Sequence, residues 1–172
     1  MNLPGPFAKD NSLINVVIET PRGSCNKYVY VPQHDYFVLK KILPFGTAFP
    51  FDFGFVPGTL GEDGQPIDVL VLSEFPFFPG CVIQCRCLGV IKAEQTEKRK
   101  KYRNDRLISV PDESLTYSKF NSIDDVNQHV LDEVIRFFEY YNEIRNIKFK
   151  FLGKGNKSVA IKLITNSLRV TA

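Results

Sequence analysis

The sequence lacks any apolar run of the roughly 18 residues that a membrane-spanning helix needs. Its first residues, Met1-Asn2-Leu3-Pro4-Gly5-Pro6-Phe7, show neither the basic segment nor the apolar segment of a secretory signal. Repeats, low-complexity tracts and linker-like stretches are also missing. With 172 residues and 44% hydrophobic content, one globular domain over residues 1–172 and a cytoplasmic location are expected.

Histidine and cysteine are scarce, with two histidines and four cysteines in the whole chain. Cys85 and Cys87 fall in a strand-like run, where alternation places them on one face with Ile83 and Ile91. The two histidines lie far from them in the sequence, so a zinc site is disfavoured and buried thiols are expected. No arrangement resembles a nucleophilic serine or cysteine triad.

The net charge of +3 comes from one segment. The run Lys98-Arg99-Lys100-Lys101-Tyr102-Arg103 holds five cations and no acid, and the rest of the chain carries 17 basic and 19 acidic residues. The bland interpretation of this run is an exposed, solvated loop.

The hydrophobic pattern changes period along the chain. Short strand-like runs separated by Gly, Pro and Asn fill the first two thirds, and an amphipathic helix is predicted from Ile123, with Ser122 and Asp125 resembling a capping box. Strands followed by helices predict an α+β domain built on a small barrel. The predicted strands are Leu13–Thr20, Lys27–Val31, Phe37–Leu43, Phe55–Thr59, Ile67–Leu72, Cys81–Lys92, Arg106–Val110 and Lys148–Leu152, with a Gly-Lys-Gly-Asn turn and a second helix after them.

The segment Asp63-Gly64-Gln65-Pro66-Ile67-Asp68-Val69 is the most informative motif. Two carboxylates flank a turn that leads into a buried strand, and turns of this kind present oxygen ligands to Mg²⁺. An acidic turn that only caps a strand is the bland alternative.

The chain resembles the family I soluble inorganic pyrophosphatases over nearly its whole length. The resemblance rests on the 63–69 segment and on Val16-Val17-Ile18-Glu19, Asn26-Lys27-Tyr28, Phe49-Pro50, Phe53-Gly54-Phe55, Pro79-Gly80 and Phe137-Phe138-Glu139-Tyr140-Tyr141. It implies a five-stranded OB-like β-barrel with flanking helices, hydrolysis of diphosphate to two phosphates with several Mg²⁺ ions, and a homo-oligomer, a hexamer in compact members.

The resemblance implies that Glu19, Asp63 and Asp68 are metal ligands, with Asp68 also catalytic. Other positions where it places acids hold Val29, Gln65, Gln95 and Asn104. The loop that carries Gln95 and Asn104 is longer than in compact relatives, so Glu94, Glu97 or Asp105 are candidates for a vacated ligand position, and Asp105 is the strongest. Fewer Mg²⁺ ions than the family norm, or none, are therefore expected.

The positions that the resemblance gives to phosphate-binding groups are better kept. Lys27 and Tyr141 are retained, Lys41 stands for an arginine and Arg106 for a lysine, whereas Asn142 stands for a lysine. Phe49 and Phe53 stand where the family has tyrosines. An Arg to Lys change loses the planar fork that binds phosphate in a bidentate manner.

Gln65 stands at the position of the aspartate that helps to orient and deprotonate the attacking water. An amide cannot take a proton at neutral pH, and losing general-base help lowers a rate by about 10² to 10⁴.

Three hypotheses remain open. The first is a weak, metal-dependent diphosphate hydrolase. The second is a pseudoenzyme that binds phosphate, diphosphate or a nucleotide without hydrolysis, or that acts in assembly, with Lys and Arg contacting the phosphate directly. The third, disfavoured by the modest overall charge, is an OB-type single-stranded nucleic-acid binder that uses Tyr102 and the basic run.

Overall fold

The computed structural model describes residues 2–8 and 12–168 of the chain. In chain order its elements are β1 Ile14–Thr20, β2 Asn26–Val31, β3 Tyr36–Ile42, β4 Asp52–Phe55, β5 Asp68–Val71, β6 Val82–Glu97, β7 Lys100–Arg103, β8 Arg106–Pro111, α1 Gln128–Glu143, β9 Lys148–Asn156 and α2 Lys157–Asn166. A short 3-10 turn, Ile123–Asp125, precedes α1.

Five strands form a closed ring. The hydrogen-bonded order is β1, β4, β5, β8, β6 and back to β1, and β5 runs parallel to β8 while the other neighbours are antiparallel. This closure confirms the prediction of an α+β fold on a five-stranded OB-like barrel. The ring matters for function because it sets Asp68, the first residue of β5, directly beside Arg106, the first residue of β8.

The remaining strands extend or flank the ring. β2 and β3 form a separate antiparallel hairpin, and the long strand β6 continues past the barrel to pair with β7 on one edge and β9 on the other. The basic run was expected to be a solvated loop, but it forms the turn and second strand of the β6–β7 hairpin. Strand β7 was not predicted from the sequence.

Helix α1 packs its apolar stripe against the barrel, as its period predicts. Leu131, Val134, Phe138 and Tyr141 are buried in a cluster with residues of β4, β5, β6 and β8. Helix α2 buries Ala160 and Ile164 in a second cluster. No helix in the described ranges is long and apolar enough to cross a membrane.

The predicted start of α1 at Ile123 is wrong, and the helix begins at Gln128 because two capping residues follow each other in the chain. Ser122 and Asp125 do form a capping box, but it closes only the 3-10 turn. Val126 then returns to an extended conformation, and Asn127 caps α1 by accepting the N–H of His129.

Two predicted segments are misplaced for reasons that lie in their Gly and Pro residues. The strand expected over Phe55–Thr59 lies earlier, at Asp52–Phe55, because Pro57 and Gly58 turn the chain, with Gly58 at φ +75°. The predicted Gly-Lys-Gly-Asn turn is instead the end of β9. Its Gly153 lies at an irregularity in the pairing with β6.

The cysteines of β6 are buried as expected, but the expected face is only partly right. Cys85 and Cys87 lie in the cluster that α2 covers, beside Ile83, whereas Ile91 lies in the cluster that α1 covers. The register with β8 shifts between Cys87 and Gly89, and this irregularity reverses the alternation of the residues beyond it.

Candidate functional site

The turn before β5 holds Asp63 in a defined position. Gly64 adopts φ +79°, and the Gly61 N–H donates to Gln65 O at 2.7 Å across the turn. The Gln65 N–H donates to Asp63 Oδ1 at 3.0 Å. The side chain of Gln65 is exposed at the tip of this turn. Burial raises the pKa of Asp63, opposed by the Gln65 N–H and by Arg106.

Asp68 presents a carboxylate that no donor in the described part of the chain hydrogen-bonds. Its nearest cationic atom is Arg106 Nε at 3.8 Å, and 20% of the side chain is exposed. Burial raises the pKa of Asp68 to about 6, although Arg106 and Lys27 oppose the rise and Asp63 adds to it. A carboxylate without a donor is positioned to take a cation from solution.

Glu19 and Lys27 form a buried ion pair between β1 and β2. Lys27 Nζ donates to Glu19 Oε2 at 3.0 Å, and the Tyr30 N–H donates to Glu19 Oε1 at 2.8 Å. Lys27 Nζ also lies 3.9 Å from the centre of the Phe53 ring. Phe53 has no hydroxyl, yet its ring still holds this lysine in place.

Arg106 lies against aromatic rings of α1 and β9. Its guanidinium carbon is 4.1 Å from the centre of the Phe138 ring and 5.4 Å from that of Phe149, and Nη1 donates to Asn104 O at 2.9 Å. Its Nε is a buried nitrogen for which residues 2–8 and 12–168 provide no acceptor. An arginine that is packed this firmly and has a spare donor suits an anionic ligand.

Three amides connect Asp63 to helix α1 by a continuous chain of hydrogen bonds. Asn104 Nδ2 donates to Asp63 Oδ2 at 3.1 Å and to Gln95 Oε1 at 3.2 Å. Gln95 Nε2 donates to Asn142 Oδ1 at 3.0 Å, and Asn142 Nδ2 donates to Phe138 O at 2.7 Å. Gln95 and Asn142 are almost fully buried. We call these residues, Asn104, Gln95 and Asn142, the amide chain.

Asp105 is not brought to this group. Its carboxylate accepts the Ala93 N–H at 2.9 Å and two hydrogen bonds from Arg103 Nη2, at 2.7 and 2.8 Å. Because side chains alternate along an extended segment, Asp105 points away from its neighbours Asn104 and Arg106. Its oxygens are therefore engaged with Arg103, and the metal-ligand role predicted for it has no support in this geometry.

The far side of the site is formed by the end of α1. Tyr141 is buried, and burial raises the pKa of its hydroxyl. Lys41 Nζ lies 3.5 Å from Ile144 O, and the Arg145 guanidinium carbon lies 5.3 Å from the centre of the Tyr141 ring.

Comparison with known proteins identifies the family to which this fold belongs. The family model described as "Inorganic pyrophosphatase" matches residues 16–171. The chain belongs to the inorganic pyrophosphatase family.

Relatives cover nearly the whole chain. Inorganic pyrophosphatases of Synechocystis and Sulfolobus acidocaldarius are 34% and 35% identical to it, over 95% and 91% of this chain and 95% and 89% of theirs. The structures of the inorganic pyrophosphatases of Thermus thermophilus and Helicobacter pylori match with TM-scores of 0.85 and 0.87, at 32% and 33% identity. Those matches cover 96% and 97% of this chain and 94% and 96% of theirs.

The pyrophosphatase fold gathers most of the residues that the sequence singled out. Electrostatic coupling or direct contact links Glu19, Lys27, Asp63, Asp68, Arg106 and Tyr141. Lys41 lies at the rim. Among the described residues no group of three or more His, Cys, Asp or Glu side chains has a geometry that could hold a metal ion.

Sequence reasoning missed Arg145 and the mutual bonding of the amides. Arg145 stands four residues after Tyr141, a spacing that brings side chains together at the end of a helix, and this was the available signal. The contacts of Gln95, Asn104 and Asn142 join β6, β8 and α1, so no local pattern could reveal them.

Proposed function

We propose that this pyrophosphatase homologue binds diphosphate beside the Asp68–Arg106 pair and hydrolyses it far more slowly than its relatives. The observation that carries the proposal is the amide chain. At positions where the resemblance places acids and a lysine, Gln95, Asn104 and Asn142 hydrogen-bond to one another and to Asp63.

The donor set fits one divalent cation better than several. Membership in the family implies Mg²⁺ dependence in general, and Asp63 and Asp68 offer the carboxylate oxygens that Mg²⁺ prefers. Asp68 accepts no competing hydrogen bond from the part of the chain that the structure describes, whereas Gln95 Oε1 already accepts from Asn104. When bound, Mg²⁺ would neutralise part of the diphosphate charge and polarise a phosphoryl oxygen. We assign Asp63 and Asp68 as its ligands, with the ion taking the place of the Asn104 hydrogen bond at Asp63 Oδ2.

The cations of the site would take the remaining phosphate charge. The Arg106 guanidinium, which is paired with Asp68 only at 3.8 Å, would supply positive charge, and Lys41 and Tyr141 line the side formed by α1. Lys27 is held near the same centre by Glu19 and Phe53. These four residues are the proposed substrate-binding groups.

Gln65 would limit the rate of hydrolysis. Its exposed side chain ends in an amide, which can orient a water molecule but cannot accept its proton. General-base catalysis contributes about 10² to 10⁴ to a rate, so the loss at this position alone predicts slow turnover.

Binding without hydrolysis is the second candidate function. It is favoured by the cations Arg106, Lys27 and Lys41, which would contact an anion directly and need no metal bridge. The two functions differ in one observable, the release of phosphate.

The test is to restore acids in the site and measure phosphate release from diphosphate with Mg²⁺, Mn²⁺ or Zn²⁺. We expect Q65D/N104D to release phosphate at least about tenfold faster than the natural chain, because it regains a base and a ligand. The matched control is Q33D/N121D, which adds the same charge at two exposed amides away from the site. An unchanged rate in Q65D/N104D would contradict the assignment of these positions.

We also propose that the chain assembles with itself, as a hexamer by resemblance. Phe45, Phe75 and Leu115 leave most of their side chains exposed and available for contact with a second copy of the chain. Light scattering of the purified protein tests this, and a monomeric mass at micromolar concentration would contradict it.

A further inference from the structure

Arg145 is a cation beside the site that the described residues leave without an ion-pair partner. It follows α1 by two residues and is exposed, and its guanidinium carbon lies 5.3 Å from the ring centre of Tyr141. No carboxylate in the described part of the chain lies within salt-bridge distance of it. Its fork of five N–H donors is therefore open to a ligand.

Asn142 cannot serve as a ligand-binding residue. Its side chain is fully buried, accepts from Gln95 and donates to Phe138 O, so both halves of the amide are used within the protein. The resemblance places a phosphate-binding lysine at this position. The site therefore lacks a cation there unless a neighbouring residue provides one.

The surroundings of Arg145 belong to the same site. Lys41 reaches the carbonyl of Ile144, the residue before Arg145. The positive charge of Arg145 lowers the pKa of Arg106 and opposes the rise in the pKa of Tyr141 and of Tyr102 that burial causes. Arg145 thus acts electrostatically on residues of α1, β7 and β8, among them the proposed substrate-binding residues Arg106 and Tyr141.

We infer that Arg145 is a phosphate-binding residue of this site and supplies the cation that Asn142 does not. The inference rests on the proposed binding of diphosphate. A guanidinium held on the Tyr141 ring binds two oxygens of one phosphate in a planar arrangement, which a flexible lysine does not. The end of α1 therefore contributes both an aromatic support and the charge that it carries.

The experiment measures the affinity of the full-length protein for diphosphate by titration calorimetry in the presence of Mg²⁺. We expect R145A to raise the Kd at least about tenfold, the loss typical of a charged hydrogen-bonding pair, and R145K to lie between R145A and the natural protein. R136A removes an exposed arginine from α1 and is expected to leave the Kd unchanged. Thermal unfolding midpoints check that all variants fold.

Each outcome decides between the two proposals. If the natural protein binds no diphosphate, the proposed function fails and this inference fails with it. If the natural protein binds and R145A binds equally well, only the role of Arg145 is overturned. If R136A weakens binding as much as R145A, the effect reflects overall charge, and the specific role is likewise overturned.

Discussion

Asn104 donates hydrogen bonds to Asp63 and to Gln95 through a single amide nitrogen. A carboxylate at this position would lie against the Asp63 carboxylate, and a metal ion would be needed to offset their repulsion. The amide removes that need, because its N–H groups satisfy Asp63 directly. With Asn rather than Asp at position 104, a hydrogen bond to Asp63 therefore takes the place of the cation that two facing carboxylates would need.

This exchange predicts a metal-dependent stability in N104D. In a chelating buffer we expect the free energy of unfolding of N104D to be about 1 to 3 kcal/mol lower than that of the natural chain, because a donor to Asp63 is lost and a like charge is added. Mg²⁺ should restore much of this loss by binding the folded state. Urea unfolding with chelator and with Mg²⁺ measures both effects.

The control is N2D, at an exposed asparagine whose side chain makes no hydrogen bond within the described residues, where the same change should have little effect. If N104D in chelating buffer is as stable as the natural chain and gains no extra stability from Mg²⁺, the Asn104 amide does not stabilise the Asp63 carboxylate.

At the scale of elements, the β6–β7 hairpin is the largest departure from expectation. Glu97 pairs with Lys100, so the turn has two residues, Lys98 and Arg99, at φ +47° and +69°. Such turns favour Asn-Gly because a Cβ is strained at positive φ. A hairpin could not be predicted here, since neither Lys98 nor Arg99 is typical of the turn that it forms.

Replacing this turn should stabilise the protein. We expect K98N/R99G to raise the free energy of unfolding by about 1 kcal/mol, because both residues then suit their conformation. K98Q/R99Q removes the same charges without relieving the backbone, and it is the control for charge in denaturant unfolding. If the two variants are equally stable, the backbone of Lys98 and Arg99 is not strained in the natural chain.

Glu74 connects the loops that follow the parallel strands β5 and β8. It accepts the Ser114 hydroxyl at 2.6 Å and the Thr116 N–H at 2.7 Å, and these bonds lower the pKa of Glu74 from 4.5 to about 2. A lowered pKa stabilises the fold above the unfolded value, and this stabilisation is lost as the pH falls from about 4.5 through 2.

E74Q should therefore be less stable than the natural chain at pH 7, by a few degrees in the unfolding midpoint, because Glu74 lies near the surface. The difference should shrink as the pH falls from 5 towards 2. Thermal unfolding across this range measures it, with E113Q as the matched change at an exposed glutamate. A difference that does not vary with pH would refute the linkage.

At the scale of the whole molecule, the sequence predicts the barrel well and the site in part. Alternation and turn residues place β1, β2, β3, β5, β6 and β8, because each is an apolar or alternating run between clear turn signals. The predicted range of β4 is wrong because Phe55 begins an apolar run that Pro57 interrupts. The strand pairing that sets Asp68 beside Arg106 agrees with the fold that the resemblance implies.

The contents of the site were less predictable than its location. Residue identities show that Gln65, Gln95 and Asn104 are amides, but only the folded chain shows that Gln95 and Asn104 bond to Asn142 and Asp63. The same holds for Asp105, whose partner Arg103 is two residues away on the hairpin that went unpredicted. Contacts between distant strands decide which polar groups remain available for a ligand.

The most direct test is steady-state release of phosphate from diphosphate, measured side by side for this protein and for the Thermus thermophilus inorganic pyrophosphatase at one pH and one Mg²⁺ concentration. A site with Gln65 in place of an acid and with its amides bonded to one another predicts a rate at least about a hundredfold lower for this protein. Equal rates for the two proteins would contradict the proposal.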